Sequence, residues 1–409
     1  MPSPVQTISS GKRPMLSMLS LALLGLAAVP AHAELSDTIH PFVAATYTHD
    51  DNLLRLDDNI PGFSGPRSDN IRQLQVGALF ERPIGRQELS GHVKASKVTF
   101  AHYDSFNYDG RDYLADLHWR VGSHVDGHAG LGYVQTLTPF TDYHSTERNL
   151  RIQRHEYADA GWLFHPSWRV HAGFDRNRYE YDLSVQRFNN RTEDTTDAGL
   201  DFLASSASRV GVLLRRVRGS YELQRFSGGG QLFDNAYQQD EINANINWVF
   251  SATTQFQLLG GYTRRTHVAF TARDSKGPAG RATFIWSPAS RLHLTFAGWR
   301  VYEAVEGTLV NNSLNKGASA AASWDLTSKI MATARVLRER RDFNAASGAQ
   351  LPPGANDSSS SLQAGLTYMP TQHSQLSLNA NRQRRSGSPL VGTNSYLANT
   401  ISLSGSIQF

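Results

Sequence analysis

From Leu397 to Phe409 the chain alternates almost without a slip. Leu397, Ile401, Leu403, Ile407 and Phe409 share one parity, and Ala398, Thr400, Ser402, Ser404, Ser406 and Gln408 the other. A period of two sends successive side chains to opposite faces of an extended strand, so this segment reads as a strand with one apolar face. The pattern recurs upstream. Tyr113, Ala115, Leu117, Trp119 and Val121 interleave with Leu114, Asp116, His118 and Arg120, while Trp168, Val170, Ala172 and Phe174 interleave with Arg169, His171, Gly173 and Asp175. It returns in Ile242, Ala244, Ile246, Trp248 and Phe250 and in Leu362, Ala364, Leu366 and Tyr368.

Short turn signals separate pairs of these runs at intervals of about 40 residues, with a longer segment between successive turns. The turns read Arg82-Pro83-Ile84-Gly85, Gly122-Ser123-His124, His165-Pro166-Ser167, Ser205-Ser206-Ala207-Ser208, Ser251-Ala252-Thr253, Ser287-Pro288-Ala289-Ser290, Thr327-Ser328 and Pro370-Thr371-Gln372. The longer segments, 50–70, 142–149, 182–194, 226–240, 303–314, 342–357 and 386–394, are rich in Gly, Ser, Asn and Asp, as surface loops are. One strand before the first turn, two around each turn and one at the end give about eighteen, an even number. This is the pattern of an all-β transmembrane antiparallel barrel, with short periplasmic turns and longer extracellular loops.

The tryptophans point the same way. Trp119, Trp162, Trp168, Trp248, Trp286 and Trp324 lie within a few residues of a short turn and on the apolar parity of their strands. A membrane barrel places amphipathic rings outward at one height, so these six are expected to form a periplasmic aromatic girdle. Trp299 falls on the polar parity and is expected to face the lumen.

The amino-terminal residues agree. Lys12 and Arg13 precede an apolar run and then Ala31-His32-Ala33, which are the parts of a secretory signal peptide. Residues 1–33 are therefore expected to be a cleaved leader and residues 34–409 a single barrel domain. No later apolar stretch approaches the roughly 20 residues of a membrane-spanning helix, so the mature chain can cross a bilayer only as a closed barrel. The hydrophobic fraction of 40% suffices for that, because a barrel needs apolar residues at only every second position. The absence of Cys excludes a disulfide framework and Cys-ligated metal. A formal charge of +4, two of it in Lys12 and Arg13, is too slight to argue for nucleic acid. Ending on Phe409 resembles the terminal signal by which bacterial outer-membrane barrels are recognised for insertion. The expected location is the bacterial outer membrane, and the expected partners are the barrel insertion machinery, outer-membrane lipid and lipopolysaccharide. Arg338-Glu339-Arg340-Arg341 and Arg382-Gln383-Arg384-Arg385 gather near the outer strand ends, as a solvated rim or as contacts to lipopolysaccharide phosphates.

Function would sit inside. The polar parity nominates Lys94, Asp116, His118, Arg120, His155, Tyr157, Asp159, Arg169, His171, Asp175, Asn243, Asn245, Asn247, Arg265, Trp299 and Arg335 as lumen-lining. Walls of amide, hydroxyl and paired charge suit a neutral or weakly charged hydrophilic solute. The rings of Tyr157, Tyr179 and Trp299 either offer faces to sugars or fill a narrowed lumen, and the second use is the commoner. No Ser sits in a Gly-x-Ser-x-Gly elbow and no His pair has the His-Glu-x-x-His spacing, so no catalytic set stands out and no cofactor is implied. Asp50, Asp51, Asp57 and Asp58 lack the Gly-centred spacing of a calcium loop, which leaves no metal site to nominate.

Ile39-His40-Pro41-Phe42-Val43, leading through Tyr47 into Asp50-Asp51-Asn52-Leu53-Leu54-Arg55-Leu56, resembles the opening of the exosortase-associated exopolysaccharide-biosynthesis outer-membrane proteins of the EpsL type and related porin-like barrels. Asp51, Asn52, Leu53, Arg55 and Leu56 are the family-like positions. The resemblance implies a non-enzymatic barrel in extracellular polysaccharide biosynthesis or export, meeting the polymer and periplasmic export proteins. A general porin for small hydrophilic solutes is the alternative expectation, and an outer-membrane hydrolase a more distant one.

Overall fold

The computed structural model describes residues 38–57, 63–141, 144–226, 232–269, 271–305, 310–345, 354–388 and 391–409; the expected leader and Asp58 lie outside them. In chain order the strands are β1 (Ile39–Asp50), β2 (Asp69–Ile84), β3 (Gln87–Phe100), β4 (Tyr108–Val121), β5 (Val125–Leu137), β6 (Leu150–His165) and β7 (Trp168–Tyr181). They continue as β8 (Arg191–Leu203), β9 (Arg209–Tyr221), the two-residue strands β10 (Arg225–Phe226) and β11 (Leu232–Phe233), β12 (Tyr237–Ser251), β13 (Thr254–His267) and β14 (Ser275–Ala289). The last six are β15 (Leu292–Ala304), β16 (Val310–Asp325), β17 (Ile330–Ala345), β18 (Asn356–Thr371), β19 (Ser374–Ser386) and β20 (Tyr396–Gln408).

All but β10 and β11, which pair with each other, form one 18-stranded antiparallel sheet. Each strand pairs with the next, β9 pairs with β12, and β20 returns to β1 in the register Phe42↔Gln408 to Asp50↔Thr400. The sheet is a closed barrel. Closure leaves no strand edge unpaired, which is what a sheet needs where no water can satisfy its backbone.

Eight connections at one end are short and nine at the other are longer. One of the tightest, two residues long, joins Ile84 to Gln87 with Gly85 at φ 64, a left-handed conformation that a Cβ would make unfavourable. Two of the nine long-side connections, residues 101–107 and 268–274, are absent from the loops expected from composition. The first contains a three-residue 3-10 helix, Asp104–Phe106, whose Phe106 is fully buried.

The register settles which face each side chain takes. Val76, Leu131, Leu200, Leu214, Ile242, Val336, Leu362 and Ile401 are exposed on the outer parity and form a lipid-facing band. Trp162, Trp168, Trp248, Trp286 and Trp324 are exposed near the short turns, whereas Trp119 is half-buried over Gly127. In β1, the even residues Thr46, Thr48 and Asp50 are buried and Tyr47 is exposed, which fixes a parity the sequence leaves ambiguous. Eighteen strands about 4.8 Å apart and tilted by about 40° enclose a cylinder roughly 36 Å across between backbones. That leaves room for a wide passage once side chains are counted.

Candidate functional site

By register the sixteen residues expected in the lumen share the parity opposite the exposed apolar band. They are not spread evenly. From β3 to β9 the wall is a lattice of carboxylates, imidazoles and guanidiniums. Lys94 and His92 both reach Asp112, at 2.6 and 2.7 Å. Tyr157 donates its hydroxyl to Asp116, and His155 pairs with Asp175. His128 lies 3.3 Å from Asp159 and stacks on His118 with centroids 4.6 Å apart. Arg169 reaches Asp126 at 3.0 Å, His171 and Arg209 flank the buried Asp201 at 3.4 and 3.7 Å, and Arg215 lies 3.5 Å from Asp197. Lys94–Asp112, His128–Asp159 and Arg215–Asp197 stand directly across a ladder, where opposite charges attract, whereas Tyr157–Asp116 and Arg169–Asp126 reach over the intervening Gly130 and Gly161.

The adjoining sector, β18 through β20 with β1 and β2, carries no lattice of this kind over most of its height. Its inner positions include Ser359, Ser361, Gln363, Ser377, Asn379, Asn381, Thr400, Ser402, Ser404, Thr46, Thr48, Gln73 and Gln75, with charge only at the long-loop end in Asp50, Asp69, Asp357 and Arg385. Amides and hydroxyls dominate this side. Between the two walls, Asn243 donates to Glu241 at 2.9 Å and Arg265 lies 3.7 Å over the Tyr237 ring.

The long-loop end narrows the passage. In the β1–β2 loop, Leu53, Leu54, Leu56 and Phe63 pack with Phe106 of the β3–β4 loop and Phe140 of the β5–β6 loop. His144 Nδ1 contacts the Leu54 carbonyl at 2.8 Å, tying the first loop to the third. The third loop then crosses the barrel. The Thr141 carbonyl accepts from Arg385 of β19, whose guanidinium is 1% exposed and lies against Asp357. Arg341 grips the same carboxylate at 2.8 and 3.0 Å. A polar cleft of about 290 Å³ remains between residues Thr138, Thr141 and Arg151 on one side and Glu303, Asn315 and Arg341 on the other.

Against this geometry the comparisons can be placed. The family model described as "Putative beta-barrel porin 2" matches residues 239–409. OccAB3 of Acinetobacter baumannii is similar in structure, with 11% identity, a TM-score of 0.50, and coverage of 91% of this chain and 99% of that one. OccK9 (OpdG) of Pseudomonas aeruginosa gives 10% identity, a TM-score of 0.50, and coverage of 92% and 100%. The chain has the fold of an outer-membrane porin. At such identities the likeness concerns fold alone. None of the curated proteins matches the chain.

Several sequence expectations are corrected by placement. The two basic runs are not one rim: alternation turns Arg338, Arg340, Arg382 and Arg384 outward and sends Glu339, Arg341 and Arg385 inward. Arg341 and Arg385 thus belong to the mouth, which the runs alone do not reveal. The parity of Val336 and Leu362 beside them is the signal that separates the two sets. Trp299 faces inward but is engaged, donating Nε1–H to Glu339 at 2.7 Å under the Arg281 guanidinium at 4.6 Å. Tyr157 stacks on His155 at 4.9 Å and Tyr179 lies beneath Arg191 at 4.1 Å, so each of the three rings already has a partner on one face. The acidic loop is structural as well. Asp50 pairs with Arg55 at 2.8 Å and Asp51 accepts from Asn399 at 2.6 and 2.7 Å. Among the described residues no group of three or more His, Asp or Glu is placed to hold a metal ion.

Proposed function

We propose that the protein is an outer-membrane channel for small hydrophilic solutes, with its long loops outward. The observation that carries this reading is the lumen itself, a polar wall running the length of a wide barrel and narrowed where Thr141 of the β5–β6 loop meets Arg385. A channel for polymer would have to displace that crossing and the apolar cluster around Phe106 each time a chain passed. The match of residues 239–409 to a porin family supports the same reading.

Secretion of polysaccharide is the second reading, and it rests on the stretch from Ile39 to Leu56. In that stretch Asn52 bonds the carbonyls of Leu56 and Leu397 at 2.8 and 2.9 Å, and Arg55, held at φ 55, reaches Asp50. These contacts give the family-like residues a folding role beside the β1–β20 seam. Reconstitution in planar bilayers and swelling assays with sugars and amino acids separate the readings. The channel reading expects discrete conductance steps and solute-dependent swelling. A closed bilayer, together with loss of secreted polymer on deletion, would replace it with the second.

A further inference from the structure

We infer that the outer face of β16 to β19 binds a phosphorylated, multiply acylated glycolipid of lipid A type, with its phosphates on an arginine cradle and an acyl chain in the groove beneath. The cradle follows from register. Arg338 of β17 stands directly across from Ser360 of β18, and Ser360 across from Arg384 of β19, so two guanidiniums flank a hydroxyl with backbones about 10 Å apart. Arg340 lies across from Lys316 and Ser358, and Arg382 across from Leu362. All are on the lipid-facing parity.

Four outward arginines cluster on β17 and β19. On some other strands an outward cation is neutralised by an outward carboxylate: Arg176 holds Asp194 at 2.6 and 2.9 Å, Arg216 holds Asp240 at 2.5 Å, and Arg154 pairs with Glu180. On β16 to β19, Asp342 is shared by Lys316 at 2.8 Å and Arg340 at 3.2 Å. Among the described residues no carboxylate pairs with Arg338, Arg382 or Arg384. Unmatched guanidiniums beside hydroxyls suit phosphate oxygens, to which they present paired donors.

Height and shape agree with that occupant. Trp324 stands across from Ala332, and Arg340 lies eight residues further along β17. At about 3.4 Å per residue and a tilt of about 40°, that puts Arg340 roughly 21 Å and Arg338, two residues lower, roughly 16 Å above the tryptophan level, so the cradle lies in the upper half of a lipid band about 25 Å tall, whose outer limit long guanidinium side chains can reach. Below the cradle runs a groove of about 560 Å³, floored by Gly298, Ala318 and Ala320, walled by Phe284 and Phe296, and topped by Arg338. Arg338 belongs to both parts, so charged head and apolar slot are continuous.

The test titrates the folded full-length chain in neutral detergent with bis-phosphorylated lipid A, read by native mass spectrometry. The expected result is a bound lipid whose affinity falls at least tenfold in the Arg338→Gln/Arg384→Gln pair and also in Ala320→Phe, which fills the groove. Arg216→Gln, on the neutralised face, should leave it unchanged. Dephosphorylated lipid should bind the native chain as weakly as lipid A binds the double variant, and inorganic phosphate should not compete. Heat-modifiable gel mobility confirms that each variant is folded. Undiminished binding by folded double variant, competition by inorganic phosphate, or a second copy of the chain masking the face would each overturn the assignment. Failure of channel conductance would leave this result untouched.

Discussion

Gly317 illustrates how single residues shape the lumen. A Cβ there would stand 2.5 Å from the Trp299 ring, which lies across the strand pair with its N–H on Glu339. Gly317→Ala must push the indole away, break that hydrogen bond, and overpack a filled site. A loss of about 1–3 kcal/mol in urea unfolding of the folded barrel is expected. Gly298→Ala, where a Cβ would come no nearer than 3.9 Å to the Gly317 carbonyl oxygen, should cause no comparable loss. Trp299 was legible as inward-facing because it breaks the parity of the other six tryptophans. Its partners were not, since Glu339 is 40 positions away and only the strand register brings the two together.

At the scale of elements, the β5–β6 loop decides how open the mouth is. Its hold on the far wall runs through Asp357, which is buried between Arg341 and Arg385. Asp357→Asn removes the carboxylate that the buried Arg385 and the half-buried Arg341 share, a loss of about 3–5 kcal/mol when such a buried pair is broken. Single-channel recording should then show a higher and noisier conductance than the native chain; an unchanged trace would mean that the loop is held by other contacts. The strands were readable because a two-residue period survives any tertiary context. The crossing was not, because the loop has no period, and its anchor Arg385 sits in a basic run whose other arginines, Arg382 and Arg384, point to lipid.

For the whole molecule, closure is the slow event to consider. The β1–β20 seam joins positions hundreds of residues apart, so its loop-closure entropy is met only after local hairpins have formed. Asn52 fastens the seam late, through Leu56 and the Leu397 carbonyl. Asn52→Ala should therefore speed unfolding while leaving the folding rate near its native value, measured by stopped-flow fluorescence in vesicles. The barrel, its strand number and its closing strand could be read from alternation, turns and Leu397 to Phe409. The division of the lumen into a charged sector on β3 to β9 and a sector on β18 to β2 that is mostly amide and hydroxyl could not, because it needs the order of strands around the axis. That division has a consequence of its own. Neighbouring sectors of the wall differ in polarity, so a solute in the proposed channel would meet charged partners on one flank and amides and hydroxyls on the next, and would be held in a preferred orientation as it moved. Sugars and amino acids of equal size would then pass at rates set by how their polar groups are distributed around them, a form of sorting by orientation that pore diameter alone does not provide.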